Sequence, residues 1–310
     1  MSFPHRFSRR DALCAAAVTA LPVSAAARAV TIGMATTEFR KHTNSALAKE
    51  LREEGIRTIQ LFLTQTDSNY WKYNSRSDLS GLTPERSTEI AGIYQSAGIR
   101  IHSMGVYTNL IHPEEAERKA NLAYFEAMMK VGSYMGVRTF INEAGHYHPE
   151  GPEPSVPYHW QEDVWRKMVA TGKELARMAD AHDATVLMEA YFQGFLASAK
   201  RTRLFLEEVG SARIRALLDP ANLLEVNDLE EMFNQLGPWI ECFHAKDRKL
   251  HVTKGVATGE GDLDYRKFVS LAAERKPAAP LVLEYVGEPN FRQAVAHLRR
   301  VVREAGLAEA

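Results

Sequence analysis

In the segment Val186-Leu-Met-Glu-Ala-Tyr191 a short apolar run leads to the acidic residue Glu189, and in three later segments an apolar run likewise leads to an acidic residue or a histidine. They are Ala216-Leu-Leu-Asp219, Cys242-Phe-His244 and Leu281-Val-Leu-Glu284. Short, almost entirely apolar runs are typical of strands that are buried on both faces of a parallel sheet. The polar residues follow one another at intervals of 30, 25 and 40 residues, and each interval has room for one helix and its return to the sheet.

The same alternation of short apolar runs and amphipathic stretches extends back to Val30. Strands are predicted at residues 30–35, 58–63, 99–106, 137–142, 185–190, 214–219, 240–245 and 281–285. Helices are predicted at residues 42–54, 83–97, 114–131, 158–181, 198–209, 229–236, 264–274 and 290–304. Eight such units predict a (β/α)₈ TIM barrel formed by one domain, residues 30–310.

An open, doubly wound sheet is the competing architecture for alternating strands and helices. That fold would place a glycine-rich phosphate turn after the first strand, and Gly33-Met-Ala-Thr36 is not such a turn. The sequence therefore favours the closed barrel, in which chemistry takes place at the carboxyl ends of the strands.

Composition excludes several classes of protein. The 310 residues contain 38 Lys and Arg against 39 Asp and Glu, so the formal net charge is −1. Nucleic-acid-binding proteins need a surplus of basic residues, so no nucleic-acid partner is expected. No run of 18 or more apolar residues occurs, so no stable membrane anchor is expected either. The oligomeric state is left open, and a homo-oligomer is one outcome.

Residues 1–29 have the composition of an export signal. Arg9-Arg10 precedes an Ala-rich run that ends in small residues of the A-x-A type, at residues 25–27 and 27–29. The arrangement resembles a twin-arginine signal, which implies the twin-arginine export machinery as a partner and a periplasmic or secreted location. An uncleaved basic tail or a helix packed on the domain is the alternative, and an unused signal would leave the chain in the cytoplasm. After cleavage Cys242 is the one cysteine left, which suits export of an already folded chain.

We expect the mature chain to begin between Arg28 and Val30, because signal peptidase cuts after small residues in this pattern. N-terminal sequencing of exported protein measures this directly. Exported protein that retains Met1 would contradict the expectation.

The polar residues at the ends of the last four strands form a candidate metal site. In a barrel, Glu189, Asp219, His244 and Glu284 come from neighbouring strands and can converge. Carboxylates buried after apolar runs are costly unless a cation neutralises them. Three carboxylates and one imidazole suit Mn²⁺ best, with Mg²⁺, Co²⁺ or Zn²⁺ as alternatives. Taken singly, each of these residues is more often a hydrogen-bonded, ion-paired or core side chain than a ligand, but one on each of four consecutive strands favours a joint site.

Two long loops predict a carbohydrate pocket at the same end of the barrel. Residues 64–82 contain Asn69-Tyr-Trp-Lys-Tyr-Asn74, and residues 143–158 contain His146, Tyr147 and His148. Loops of this length are usually functional. Aromatic faces beside amide groups suit a sugar, although these aromatics could instead pack the loops onto the barrel.

Several further residues are candidates for the same site. Trp71, Asn222, Glu143, His146 and Lys246 are predicted to bind substrate. Lys246 lies two residues after His244 and therefore shares its face of the strand, where it polarises a substrate oxygen or neutralises carboxylates. Asn222 is placed to bond either a metal ligand or a substrate hydroxyl.

One more histidine is a candidate for acid–base work. His102, near the end of the third strand, is a tentative second acid or base, or else a core residue.

With these residues the sequence resembles the sugar phosphate isomerase/epimerase superfamily of xylose isomerase-like barrels. The resemblance covers residue 30 to the C-terminus and includes His244-Ala-Lys-Asp247 and the glycine-rich Gly259-Glu-Gly-Asp-Leu-Asp-Tyr265. It implies that the quartet Glu189, Asp219, His244 and Glu284 holds one divalent metal, and that the two glutamates act as proton acceptor and donor.

Chemistry at such a site begins with a metal bound to a carbonyl and an adjacent hydroxyl. The metal acidifies the neighbouring C–H and stabilises the enediolate, while carboxylates move the proton. This predicts an isomerase or epimerase of a non-phosphorylated sugar. The ketohexose 3-epimerases of the superfamily grip substrate through Glu, His and Arg at positions occupied here by Phe195, Asn222 and Leu250.

Three alternatives remain beside the isomerase. One is a metal-dependent lyase or dehydratase acting on a keto-sugar, a 3-keto-glycoside or an inosose, which needs the same proton abstraction and an acid for the leaving oxygen. Another is a non-catalytic sugar-binding barrel, which would not need the quartet. DNA-repair relatives of the superfamily need more histidine ligands and a basic face, and the near-neutral charge argues against them.

Overall fold

The structure, a computed structural model, describes residues 28–150 and 156–310. Within these residues, eight parallel strands close into a barrel in which each strand pairs with the next and the last pairs with the first. The predicted (β/α)₈ fold is therefore confirmed. The barrel strands are β1 (Ile32–Ala35), β2 (Thr58–Leu61), β3 (Arg100–Gly105), β4 (Thr139–Glu143), β5 (Thr185–Glu189), β6 (Ile214–Leu218), β7 (Ile240–Ala245) and β8 (Leu281–Leu283).

Helices fill the intervals between the strands, as the amphipathic stretches predict. Thr83 caps α2 with its side chain and is followed by Pro at the first helical position. Gly136, in the left-handed conformation, ends α3. The helices are α1 (Asn44–Glu53), α2 (Pro84–Ser96), α3 (Glu115–Met135), α4 (Val156–His159), α5 (Glu162–Ala181), α6 (Ala199–Val209), α7 (Leu229–Leu236), α8 (Tyr265–Arg275) and α9 (Phe291–Glu304).

The start of the chain differs from the prediction. The single strand predicted at residues 30–35 is divided, because Ala29–Val30 pairs in parallel with Ala308–Glu309 outside the barrel. Only Ile32–Ala35 enters the barrel. The predicted export signal falls on residues 1–29, of which 1–27 lie outside the described residues. No helix of the described chain is both long and apolar enough to cross a membrane.

Side chains inside the barrel are separated from those that face the helices. One small cluster fills the interior and consists of Ala35, Phe62, Tyr107, Ile141, Leu187, Leu217, Cys242 and Val282. The larger cluster lies between the sheet and the helices. Because alternate residues of a strand share a face, the residue two positions after an interior residue also points inward. Leu187, Leu217, Cys242 and Val282 thereby direct the four polar residues that follow them into the mouth.

Candidate active site

Four polar side chains from consecutive strands converge at the carboxyl end of the barrel. Glu189 ends β5, Asp219 follows β6, His244 lies on β7 and Glu284 follows β8. One ligand atom from each lies within 4.8 Å of all the others. Glu189, Asp219 and His244 are buried, and Glu284 is nearly so. We refer to these four residues as the quartet, and their convergence supports the candidate metal site.

The imidazole of His244 is held in one orientation by Gln60 of β2. His244 Nε2 lies 2.7 Å from Gln60 Oε1, and both side chains are fully buried. The other ring nitrogen, Nδ1, faces the carboxylates at 3.1 Å from Glu189 Oε1 and 3.4 Å from Glu284 Oε2. With Nε2–H donating to Gln60, Nδ1 is the atom that presents a lone pair to a metal, which is the usual way of orienting a histidine ligand.

Glu189 receives hydrogen bonds on both carboxylate oxygens. Tyr107 donates its hydroxyl to Oε2 at 2.7 Å, and Asn222 donates its amide to Oε1 at 2.9 Å. Arg248, which is buried, donates in turn to Asn222 Oδ1 at 3.2 Å. The carboxylate is thus fixed in position before any ligand binds.

The charge balance of the quartet fits a divalent cation. Lys246 Nζ lies 2.9 Å from Glu284 Oε2 and 2.8 Å from Asp219 Oδ2, the latter an ion pair without hydrogen-bond geometry. With His244 neutral, as a metal ligand must be, three carboxylates and one ammonium leave two negative charges in a buried site, which is unfavourable without a further cation. Hard oxygen donors with one imidazole suit Mn²⁺ or Mg²⁺, and Co²⁺ or Zn²⁺ would be tolerated.

The pKa values of the quartet show how strongly its members interact. Burial raises the pKa of Asp219 to about 6 in spite of the nearby Lys246 ammonium. Burial also raises the pKa of Glu189, but the charges of His244 and Lys246 and its hydrogen bonds outweigh burial and hold that pKa at about 2. For His244, burial lowers the pKa, whereas the charges of Glu284 and Glu189 outweigh burial and raise it to about 9. Nearby opposite charges therefore determine the direction of the pKa shifts of Glu189 and His244.

The loop after β7 is supported by the glycine-rich segment. Asp247 Oδ1 accepts the backbone N–H groups of Arg248 at 2.8 Å and Leu263 at 3.0 Å. A Cβ at Gly261 would overlap the Asp247 carboxylate, so only glycine fits there. Tyr265 donates its hydroxyl to the Lys246 carbonyl at 2.8 Å. The segment from Gly259 to Tyr265 therefore positions Lys246.

A cavity of about 310 Å³, which we call the inner cavity, opens beside the quartet. Glu189, Glu284 and Lys246 line it, together with an aromatic wall. The rings in that wall are Phe62, Trp71, Tyr73, Tyr107 and Tyr285. Among the described residues, the buried indole N–H of Trp71 has no hydrogen-bond partner, which is unusual for a buried donor. The inner cavity thus presents aromatic surface, and Trp71, which is predicted to bind substrate, lies in its lining.

A further carboxylate stands at the edge of the inner cavity. Glu143, at the end of β4, accepts the hydroxyl of Tyr73 on Oε2 at 2.6 Å. Burial, reinforced by the Glu189 charge, raises the pKa of Glu143 to about 7. Burial likewise raises the pKa of Tyr73, so its hydroxyl stays protonated. Glu143, which is predicted to bind substrate, therefore lies in the lining of the inner cavity.

The structure does not bring every predicted residue to the quartet. Asn222 contacts Glu189, so of the two partners predicted for it the structure shows the metal ligand. His146 lines cavities next to the inner one. His102 lies at a register shift between β2 and β3, three residues before the strand ends, and burial lowers its pKa to about 4. His102 lines neither the inner cavity nor the two cavities that His146 lines.

Sequence reasoning missed Gln60, Tyr107 and the partnership of Tyr73 with Glu143. A signal for Gln60 existed, because a polar residue in the buried run Thr-Ile-Gln-Leu of β2 needs a polar partner. For Tyr107 the signal was weaker, since a tyrosine after a strand packs in many ways.

Comparisons with known proteins agree with this geometry. Residues 48–301 match the family model described as xylose isomerase-like TIM barrel. The chain belongs to the xylose isomerase-like TIM barrel family. It is 25% identical over 276 residues to the L-ribulose-5-phosphate 3-epimerase UlaE of Salmonella heidelberg, covering 85% of this chain and 90% of that protein.

Solved structures share the xylose isomerase-like fold at low identity. The probable 3-DHS dehydratase AsbF of Bacillus anthracis superimposes with a TM-score of 0.70 and 16% identity, over 88% of this chain and 98% of that one. The 3-keto-D-glucoside 4-epimerase of E. coli superimposes with a TM-score of 0.68 and 14% identity, over 87% and 99%. These likenesses establish the barrel, and the chemistry rests on the residues of the quartet.

Proposed function

We propose that this protein is a divalent-metal-dependent isomerase or epimerase of a non-phosphorylated sugar. The observation that carries the proposal is the buried quartet beside a cavity with an aromatic wall, in a chain of the xylose isomerase-like family. Its relative in Salmonella heidelberg is an epimerase of a sugar phosphate, which supports the same class of proton transfer.

The quartet residues divide into two pairs with respect to the inner cavity. Glu189 and Glu284 belong to its lining, whereas Asp219 and His244 lie behind them. All four would hold the metal, which supplies Lewis acidity for the carbonyl and for the enediolate charge. The two carboxylates that line the cavity are the groups that can accept a proton from one carbon of the sugar and return it to the carbon skeleton. Lys246 holds the Glu284 carboxylate in place, and Tyr107 holds that of Glu189.

The cations around the inner cavity favour a neutral sugar. Lys246 and Arg40 line it. Lys246 is engaged by Asp219 and Glu284, and Arg40 lies 3.9 Å from Glu38. Both cations are thus already beside carboxylates, and a phosphate ester would have to compete with those partners. The aromatic faces of the lining suit the C–H face of an uncharged sugar.

Lyase or dehydratase chemistry on a keto-sugar, a 3-keto-glycoside or an inosose is the second candidate, and one observation favours it. Elimination needs an acid for the leaving oxygen in addition to the base. The Glu143 and Tyr73 pair at the cavity edge supplies two proton-bearing groups next to the quartet. A non-catalytic sugar-binding barrel would need the aromatic wall without the quartet.

We expect the Mn²⁺-loaded protein to incorporate solvent deuterium into a sugar at the carbon beside its carbonyl. A panel of free aldoses, ketoses and keto-sugars in D₂O, followed by NMR and mass spectrometry, measures this. Epimerisation keeps the carbon skeleton and composition apart from the deuterium, whereas elimination removes water or an alcohol. Exchange that persists unchanged after chelation and removal of all divalent metal would contradict the proposal.

A further inference from the structure

The inner cavity adjoins a second cavity of about 260 Å³, which we call the side cavity. Three residues, Tyr73, Glu143 and Glu189, line both. Ligand pockets run from roughly 300 to 1,000 Å³, so the inner cavity lies near the lower end of that range. It suits one sugar ring, and the two cavities together suit a ligand of two rings.

The lining of the side cavity has the chemistry of a sugar subsite. Tyr191 and Phe195 provide aromatic surface, and Asn74 and Gln193 provide amide groups. Tyr191 donates its hydroxyl to Gln193 Oε1 at 3.1 Å, which leaves the amide N–H groups of Gln193 directed elsewhere. Aromatic surface with amide donors is suited to a ring that carries both C–H faces and hydroxyls.

The boundary between the two cavities is itself polar. Tyr73 donates to Glu143 at 2.6 Å, and these two residues stand where a two-ring ligand would cross from one cavity to the other. The bridging oxygen of a glycoside can accept a hydrogen bond but cannot donate one. The hydroxyl of Tyr73 can turn its proton to such an oxygen, so the boundary can recognise a glycosidic link.

Beyond the side cavity lies an acidic space that disfavours an anion. This outer cavity of about 690 Å³ shares Asn74 and His146 with the side cavity. Its lining includes the carboxylates of Glu114 and Glu117. Arg76, also in the lining, is held by Glu117 at 2.9 Å. A phosphate at this end would meet net negative charge, whereas an uncharged sugar would not.

We infer that the substrate is a glycosylated keto-sugar, whose reacting ring occupies the inner cavity and whose second, neutral sugar ring occupies the side cavity. The inference rests on the proposed function and narrows its substrate class. The two loops that the sequence singles out, at residues 64–82 and 143–158, contribute Tyr73, Asn74 and Glu143 to this arrangement.

Matched pairs of ligands test the side cavity. In the first pair, methyl 3-keto-β-D-galactoside has one ring, and 3-keto-lactose has the same keto ring linked to a glucose unit. In the second pair, D-fructose has one ring, and lactulose is D-fructose linked to a galactose unit. With the Mn²⁺-loaded protein we expect kcat/KM to be at least about tenfold higher for the two-ring member of the pair that reacts. L-Ribulose 5-phosphate serves as the phosphorylated arm and is expected to react more slowly than either.

Two tryptophan variants distinguish an effect of filling the side cavity from a general effect of introducing a tryptophan. Gln193→Trp should fill the side cavity and reduce the two-ring preference to about one, with kcat/KM for the one-ring member within about threefold of wild type. Lys200→Trp places the same indole on an exposed position of α6 outside the lining and should keep the preference. Gln193→Ala, which removes the amide, should reduce the preference by about threefold to tenfold.

The inference and the proposed function fail in different ways. Equal kcat/KM within the reacting pair, or a two-ring preference that survives Gln193→Trp, would overturn the two-ring substrate while leaving the isomerase proposal intact. If no ligand reacts, the proposed function fails, and calorimetric binding of the same pairs to the Mn²⁺-loaded protein decides the side cavity. A Kd at least about tenfold lower for the two-ring member, abolished by Gln193→Trp, would support it, and equal Kd values would refute it.

Discussion

Replacing Glu189 by Gln should remove most turnover while leaving the metal in place. The amide oxygen of Gln can still coordinate a divalent cation, but the amide cannot accept a proton from carbon. Positioned acid–base groups typically contribute about 10²–10⁴-fold to rate, and we expect a loss of that size in kcat. Metal content, kcat and solvent deuterium exchange, measured on the same preparation, check the expectation.

The contacts of Glu189 explain why the Gln side chain should fit. At the Oε1 position the amide NH₂ would face the Asn222 amide, which also donates, so this orientation is unfavourable. At the Oε2 position the NH₂ faces the Tyr107 hydroxyl, which can rotate and accept. The amide oxygen then takes the Oε1 position, toward His244 and the rest of the quartet.

Variants of the rear pair of the quartet provide the comparison. Asp219→Ala and His244→Ala should lose metal first and activity as a consequence, and excess Mn²⁺ should restore part of it. Glu143→Gln, one strand away and hydrogen-bonded to Tyr73, should retain full metal content because Glu143 is not a member of the quartet. Normal turnover by metal-loaded Glu189→Gln would show that another group takes the proton.

Most of the barrel, and the quartet with it, could be predicted from the sequence because both depend on local periodicity. Four apolar runs each end in one polar residue, and residues two apart on a strand share a face. Leu187 and Glu189 of β5 illustrate this, since the interior position of the first fixes the direction of the second. The chemistry of the four side chains and the family resemblance both predict a metal, which spacing alone does not prove.

The remaining features depend on contacts between distant parts of the chain. Gln60 and His244 are 184 residues apart, and no pattern in either strand indicates their hydrogen bond. Tyr73 and Glu143 meet across 70 residues for the same reason. His102 is a candidate acid or base from the sequence because it lies near the end of a predicted strand. In the structure it lies at a register shift, and three further residues of β3 follow it before the mouth of the barrel.

Removing the hydrogen bond between His244 and Gln60 should also have a large effect, in this case on the affinity for the metal. When His244 binds a metal through Nδ1, its remaining proton stays on Nε2 and needs an acceptor, which Gln60 Oε1 provides at 2.7 Å. Gln60→Leu replaces the amide by an apolar side chain of similar volume, and this leaves the buried N–H of His244 without an acceptor. Loss of such an orienting partner typically costs 10–100-fold in metal affinity, and we expect a change of that size in the Kd for Mn²⁺.

Gln65→Leu is the matched control for Gln60→Leu. Gln65 is also fully buried and lies just beyond β2, but its amide donates to Thr36 and Thr64 and does not contact His244. Both variants lose a buried amide, so both should lower thermal stability, whereas only Gln60→Leu should raise the Kd for Mn²⁺. Because Nδ1 coordination requires the proton on Nε2, ¹⁵N NMR of His244 in the Mg²⁺-loaded wild-type protein should show Nε2 protonated. Equal Kd values for the two leucine variants, or a ring protonated on Nδ1, would mean that Gln60 packs beside His244 without orienting it as a ligand.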